Sequence, residues 1–410
     1  MVRKTLGFVV LMLVAAGIVY SINPDFPVGV LYFPEDEQVN DIPTFIEAEI
    51  LTGTLNEKYF EQAELDRFGL EVDLTQIDYH ADLDLELLMV GCPNADCIPS
   101  IDAPRFVSSN VIWMYDQDIV IGVSFNGVTK AYSRSILDRH EIVNDTFGNI
   151  PVIVSYCPIC NSAVAFVAPE INGEIATFGV SGRLYKSDLV MYDRVTYSFW
   201  SQIEGQAIIG PLASASPVIR RIPVDMALWA SWKATHPDTL VLSRPTNAVA
   251  VGGHPPEQAE GEREKRQYDY SVDPYRWFRG NESDTYGLSV EDQRLSNKTV
   301  VMGIQTDLGS KAYEKEAVKE LMIINDEIEG QPIVIFYDAR ADQVRAFQRP
   351  SDTPMQLIDN ELSDGNSIWT LTGTPIDATD TALKSLDSMP VYWFAWVSFH
   401  PETELFQLDS

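Results

Sequence analysis

An internal echo constrains this chain more than any other feature of its sequence. Val120-Ile-Gly-Val lines up with Val301-Met-Gly-Ile, and the register then holds without a gap to Phe166 and Phe347. Within it Lys130-Ala-Tyr132 meets Lys311-Ala-Tyr313, and Ile142-Val-Asn144-Asp145 meets Ile323-Ile-Asn325-Asp326. Pro151-Val-Ile-Val-Ser-Tyr156 meets Pro332-Ile-Val-Ile-Phe-Tyr337. A looser echo pairs Ser198-Phe-Trp200 with Ser367-Ile-Trp369, and Trp229 to Thr239 with Trp393 to Thr403. Glycines, prolines and aromatics matching in one order predict two tandem copies of one module. A length of 410 residues, too long for one typical domain, suits that reading. The boundaries follow: residues 25–110 an acidic N-terminal region, 111–243 copy one, 244–297 an exposed connection rich in Gly, Pro and charge, and 298–410 copy two, structural.

Each copy reads as β-rich. Val120 to Phe125 followed by Asn126-Gly127 is a strand and tight turn, and Val152–Tyr156 and Ala163–Val167 are strands. Asn172-Gly173 turns the chain into a strand over Ile175–Val180. Ser133–Glu141 is expected as a short helix, and Val224–His236 as a helix stopped by Pro237. Leu55–Phe68 has helix-forming composition, and the acid-dense Asp73–Glu86 suits a solvated loop or exposed strand. The fold class expected is α+β.

The N-terminus predicts location. Arg3 and Lys4 precede an uncharged run from Thr5 to Asn23, about the minimum that spans a bilayer. Positive residues stay inside, so residues 1–24 read as a signal anchor with everything after Asp25 outside the cytoplasm. The expected location is the cell membrane, single-pass, with the bulk periplasmic or extracellular. The alternative is cleavage near Val14-Ala15-Ala16 and secretion. No Cys follows the run, which excludes a lipoprotein anchor. The balance of 29 Lys plus Arg against 60 Asp plus Glu, a net charge of −31, disfavours nucleic acid as a partner. A small-molecule or protein partner is not specified by these residues.

Export puts the four cysteines in an oxidising or metal-accessible compartment. Tyr156-Cys-Pro-Ile-Cys160-Asn161 is the motif that carries chemistry, and three readings compete. Thiol redox chemistry needs a helix N-terminus to depress a thiol pKa, yet only Asn161 to Ala168 separate Cys160 from Pro169. The equivalent stretch of copy two, Asp338 to Asp342, is a polar turn between strand-like runs. Cys157 and Cys160 are therefore placed on a hairpin tip, the shape of a metal knuckle, with Asn161 in a left-handed conformation. Zinc, copper or iron would suit it, with further ligands from Cys92 and Cys97 or from His140. The third reading is a structural disulfide, or buried inert thiols, pinning the hairpin. Cys157, Cys160 and His140 have no chemical counterpart in copy two, where Asp338, Ala341 and Leu321 stand, so the site belongs to copy one. His140, followed by Glu141, is a candidate ligand or proton shuttle alongside the two thiols.

Gly179 to Arg194 is unusually polar for a run between strands. Arg183, Tyr185, Asp188, Tyr192, Asp193 and Arg194 are candidates to line a pocket beside the cysteines, against the plainer reading of a salt-bridged hairpin. Cys92 and Cys97 read by default as a local disulfide. His236 and His400 sit in matched His-Pro turns and read as structural, as do the repeated tryptophans. The chain lacks G-x-G-x-x-G, a Walker loop, His-Glu-x-x-His and a nucleophile elbow. Nothing in it settles whether the protein is an enzyme.

At Asp96–Phe106, His140–Asp145, Tyr156–Cys160, Phe178–Gly182 with Asp193-Arg194, Phe199–Gln202 and His236–Ser243, the chain resembles the prokaryotic family called domain of unknown function 3179. The resemblance runs from about Cys97 to the C-terminus and implies an exported protein with a Tyr-Cys-Pro-x-Cys centre. It supplies no reaction. Members usually carry Gly in place of Cys97 and often in place of Asn161. By that comparison Cys92 and Cys97 are additions here, which favours a local disulfide over a four-cysteine metal site.

Overall fold

Where the sequence alternates or clusters β-branched residues, the chain forms strands. Ile119–Phe125 (β1) turns at Asn126 and Gly127 into Val128–Ser133 (β2). The turn residues have φ of 47° and 70°, the left-handed pair that a two-residue hairpin demands. These coordinates are a computed structural model that describes residues 45–46, 80, 82–92, 95–244, 269–283, 285, 286, 288 and 290–407. The expected anchor over 1–24, the expected helix Leu55–Phe68 and the Gly252–Glu264 stretch lie outside the described residues. Among the described residues no helix is long and apolar enough to cross a membrane.

The helix after β2 is shorter than Ser133–Glu141. It spans Arg134–Leu137 (α1), and Glu141 breaks away in a left-handed conformation, φ 56°, so that Ile142 can begin a strand. Ile142–Phe147 (β3), Ile150–Cys157 (β4) and Ser162–Val167 (β5) form an antiparallel meander. Phe178–Tyr185 (β6), Asp188–Asp193 (β7) and Phe199–Ser201 (β8) form a second one, with Leu88–Val90 paired outside β6. The expected helix Val224–His236 is a helix only over Trp229–Thr235 (α2). Its first part is strand Asp225–Leu228 (β9), because these residues pair with Gly122 to Ile119 of β1 and sheet pairing outweighs local helix propensity. Leu240–Leu242 (β10) then runs parallel to β2, giving the sheet order β9-β1-β2-β10 with Phe106–Ser108 at its edge.

The C-terminal half carries the aligned segments in the same arrangement. Val300–Gln305 (β11), Ser310–Glu314 (β12), Lys315–Leu321 (α3), Ile323–Ile328 (β13), Gln331–Asp338 (β14) and Gln343–Gln348 (β15) succeed one another as β1 to β5 do. Three short strands follow, Gln356–Ile358 (β16), Glu361–Ser363 (β17) and Ile368–Thr370 (β18). Asp387–Tyr392 (β19), Trp393–Phe399 (α4) and Glu404–Leu405 (β20) close a sheet of order β19-β11-β12-β20. Small matched devices hold both halves. Asn144 clamps the backbone of Phe178 in two directions, and Asn325 does the same to Met355. Trp232 and Trp396 each donate to a threonine, Thr239 and Thr403, and each packs against a histidine ring, His236 and His400, at 3.9 Å.

The architecture is α+β and strand-rich. One core, around Ile121, Tyr132, Phe147 and Tyr156, lies inside the N-terminal half. Another runs from Cys157, Phe178 and Trp200 into Val391, Trp393 and Trp396, so the halves share buried apolar surface. The described residues belong to one compact unit.

Candidate functional site

Strands β4 and β5 pair as far as Cys157 opposite Ser162, leaving Pro158 to Asn161 as the hairpin tip. Asn161 takes φ 55°, the left-handed conformation that lets the chain re-enter the sheet, and accepts a 3.1 Å bond from the Tyr156 hydroxyl. The Cys160 amide lies 3.5 Å from the Cys157 sulfur, and neither thiol is in a disulfide. Both are also buried, at 1% and 0% exposure. Tyr392 of β19 donates its amide to the Cys160 carbonyl at 2.8 Å, so the C-terminal half covers the tip.

Asp188 is the third member. Strands β6 and β7 turn at Lys186 and Ser187, with φ of 51° and 69°, and this turn reaches the cysteines. The Ser187 carbonyl accepts from the Cys160 thiol at 3.2 Å. The sulfurs of Cys157 and Cys160 and a carboxylate oxygen of Asp188 lie within 4.8 Å of one another. Asp188 is fully buried; Oδ2 accepts from the Ile203 amide at 2.9 Å, while Oδ1 has no hydrogen-bond partner. Burial pushes its carboxyl up to about 8, although the Cys160 thiol is near enough to favour its charge. Burial likewise pushes the Cys160 thiol well up, with Cys157 and Asp188 adding to it. Two groups that ionise reluctantly thus face one point together with the Cys157 sulfur.

A lid comes from the connection between the halves, whose described part is not exposed throughout. Phe278 is fully buried, and Arg279 is ion-paired with Asp138 and donates to the Tyr156 hydroxyl at 3.4 Å. Tyr275 donates to Glu141 at 3.3 Å, and the Tyr286 amide donates to Ser187 at 3.1 Å. Burial pushes the Glu141 carboxyl up to about 8, and Asp188 is among the charges that add to it. Glu141, Ile159, Arg183, Leu189 and Tyr275 line a cavity of about 250 Å³, with the exposed Trp277 at its rim. The run Tyr270, Tyr275, Trp277, Phe278 was the available signal, since aromatics do not cluster in a solvated linker without something to cover.

The other candidates are dispersed. His140 is not part of the cluster: its Nδ1 meets the Pro99 carbonyl at 2.8 Å and its Nε2 the Tyr270 hydroxyl at 2.7 Å. A carbonyl only accepts, so Nδ1 carries the proton and Nε2 accepts from Tyr270. Burial lowers its pKa to about 4. Of the polar run, Asp188 joins the cysteines and Arg183 lines the cavity. Tyr185 packs its ring on Phe399 at 6.2 Å. Asp193 accepts from the Val195 and Thr196 amides and from the Trp200 indole, which fixes a turn. Tyr192 donates to Asp96 at 2.6 Å, and Arg194 reaches Asp102 at 2.9 Å and Ser100 at 2.7 Å, pinning the 96–102 loop. Cys92 and Cys97, with Cα atoms 6.4 Å apart, form a disulfide at the start of that loop. They are not ligands of the Cys157 cluster.

No curated protein and no solved structure matches the chain. A family model described as "Protein of unknown function (DUF3179)" matches residues 95–403, which takes in the hairpin tip, the Asp188 turn, the lid and both halves. With that span covering well over half of its length, the chain belongs to the DUF3179 family.

Proposed function

We propose that Cys157, Cys160 and Asp188 bind a transition metal ion, zinc, copper or iron, in an exported, membrane-anchored protein. The observation that carries the reading is the buried Asp188 carboxylate, its Oδ1 without a hydrogen-bond partner, gathered within 4.8 Å of two thiols that form no disulfide. An unpartnered buried carboxylate oxygen costs roughly 1–3 kcal/mol, and a cation would repay that cost for all three groups together. Tetrahedral ligation sets neighbouring sulfur and oxygen atoms roughly 3.5–3.8 Å apart, and the three ligand atoms here lie within 4.8 Å of one another. Three protein donors leave one coordination position for a fourth group. Thiol exchange is the weaker reading, because it needs an accessible thiolate and burial works against one here.

Elemental analysis of full-length protein purified without chelator tests the proposal. Near-stoichiometric metal, lost in Cys157→Ser, is expected. Intact protein holding none after reconstitution with each of the three ions would sink it. The tandem segments are read as two copies of one module, of which only the first keeps the site. Export rests on the Thr5–Asn23 run. A reporter fused after Ser410 should be active only outside the cytoplasm, and cytoplasmic activity would refute the orientation.

A further inference from the structure

A second cavity, of about 510 Å³, opens between the two halves beside the hairpin tips. Its lining is matched across the halves: Ile119 with Val300, Arg134 with Lys315, Asn161 with Asp342. One lining group is chemically out of place. Gln343 is only 3% exposed, yet neither its Nε2 nor its Oε1 has a hydrogen-bond partner. The aligned residue of the first half, Ser162, is satisfied by Gln202 at 2.9 Å. A buried amide with donor and acceptor both unmet is an unusual cost for a fold to carry without a ligand.

Charges of both signs line the cleft, and some are already paired. Lys315 is held by Asp342 at 3.2 Å, and Asp225 by Arg345 at 3.4 Å. On the first-half wall, Arg134 makes no ion pair among the described residues. On the opposite wall Glu314 has none either, and the exposed Glu316 has only a loose one to Lys319 at 3.9 Å. With a chain charge of −31, a phosphate or other net anion would be repelled. A molecule carrying both signs fits the two walls.

We propose that this cleft binds a short zwitterionic peptide, its carboxylate on Arg134, its ammonium toward Glu314 and Glu316, and a peptide group on Gln343. The side-by-side donor and acceptor of a glutamine amide match those of a peptide bond, and the volume lies within the ~300–1,000 Å³ of small-molecule sites. The proposal does not depend on metal at Cys157.

Calorimetric titration of the full-length protein with trialanine, and with its N-acetylated and C-amidated forms, tests it. Trialanine binds and both blocked forms bind at least about tenfold more weakly. Gln343→Leu, which keeps the volume and removes both unmet polar atoms, weakens binding about tenfold while leaving the melting temperature unchanged or higher. Arg134→Gln weakens it at least as much. No binding at about 10 mM peptide, blocked forms binding equally well, or undiminished binding by either variant would overturn the proposal.

Discussion

The two hairpin tips share a backbone and differ in chemistry. Cys157 faces Ser162 across one tip and Asp338 faces Gln343 across the other. Asn161 and Asp342 are both left-handed, at φ 55° and 52°, and each accepts from the tyrosine that opens its tip, Tyr156 or Tyr337. Even the residue after the helix agrees: Glu141 and Met322 are left-handed at φ 56° and 66°, and their carbonyls accept from the amides of those same tyrosines. Where the first tip holds two thiols, the second holds Asp338, beside Arg340 and Arg345 at 3.7 and 3.6 Å, and Ala341. The β6–β7 hairpin drives Asp188 into the first tip. In the C-terminal half the short β16–β17 hairpin turns at Asp359 and Asn360 with the same two left-handed residues, and both are exposed. The scaffold tolerates either set of side chains, so the chemistry rests on very few positions.

The largest expected effect separates the two tips. Asp188→Asn should abolish metal retention, whereas Asp338→Asn should leave it intact; equal loss from both would mean that the metal signal reports folding rather than a site. Next in size is acid lability in the first half, where His140 stands against Leu321. The folded pKa of about 4 lies below the ordinary 6.5, so the unfolded chain binds more protons between those values. The His140 contribution to stability should be full above pH 6.5, be lost as pH drops through that window by on the order of 3 kcal/mol, and change no further below about 4. His400 in the second half is also lowered to about 4, so the share of His140 is read by difference in His140→Gln. Denaturant melts at pH 7 and pH 4.5 that lose stability equally in variant and parent would reject the assignment. The smallest effect tests the shared frame. A Cβ on Gly122 would lie 2.3 Å from Trp232, and one on Gly303 would lie 2.3 Å from Trp396. Gly122→Ala and Gly303→Ala should each cost about 1–3 kcal/mol, by similar amounts. A large asymmetry in their melts would show that the halves are held differently.

Much of the site was legible before any coordinates. The shortness of the stretch between Cys160 and Pro169, together with the polar turn at Asp338–Asp342, placed the cysteines on a hairpin tip, and Asn161 after them pointed to a left-handed residue. Close spacing pointed to the Cys92–Cys97 disulfide. The helices were less well read: Asp225–Leu228 has helical company in sequence but is claimed by β1, a partner about a hundred residues earlier. Asp188 was one of six polar candidates in its run, with nothing local to single it out. His140 looked equally chemical and is instead tied to Pro99 and Tyr270.

By itself the sequence determined the turns, the strand-forming runs and the place of the thiols on a hairpin tip, because these depend on backbone preferences and spacing within a few residues. Only the tertiary structure decided which carboxylate meets the thiols, that a segment of the connection covers them, and that Gln343 is left unsatisfied in a cleft. Those outcomes depend on strand register and on packing between segments far apart in the chain. A one-residue change of register would turn Asp188 to the opposite face of its sheet.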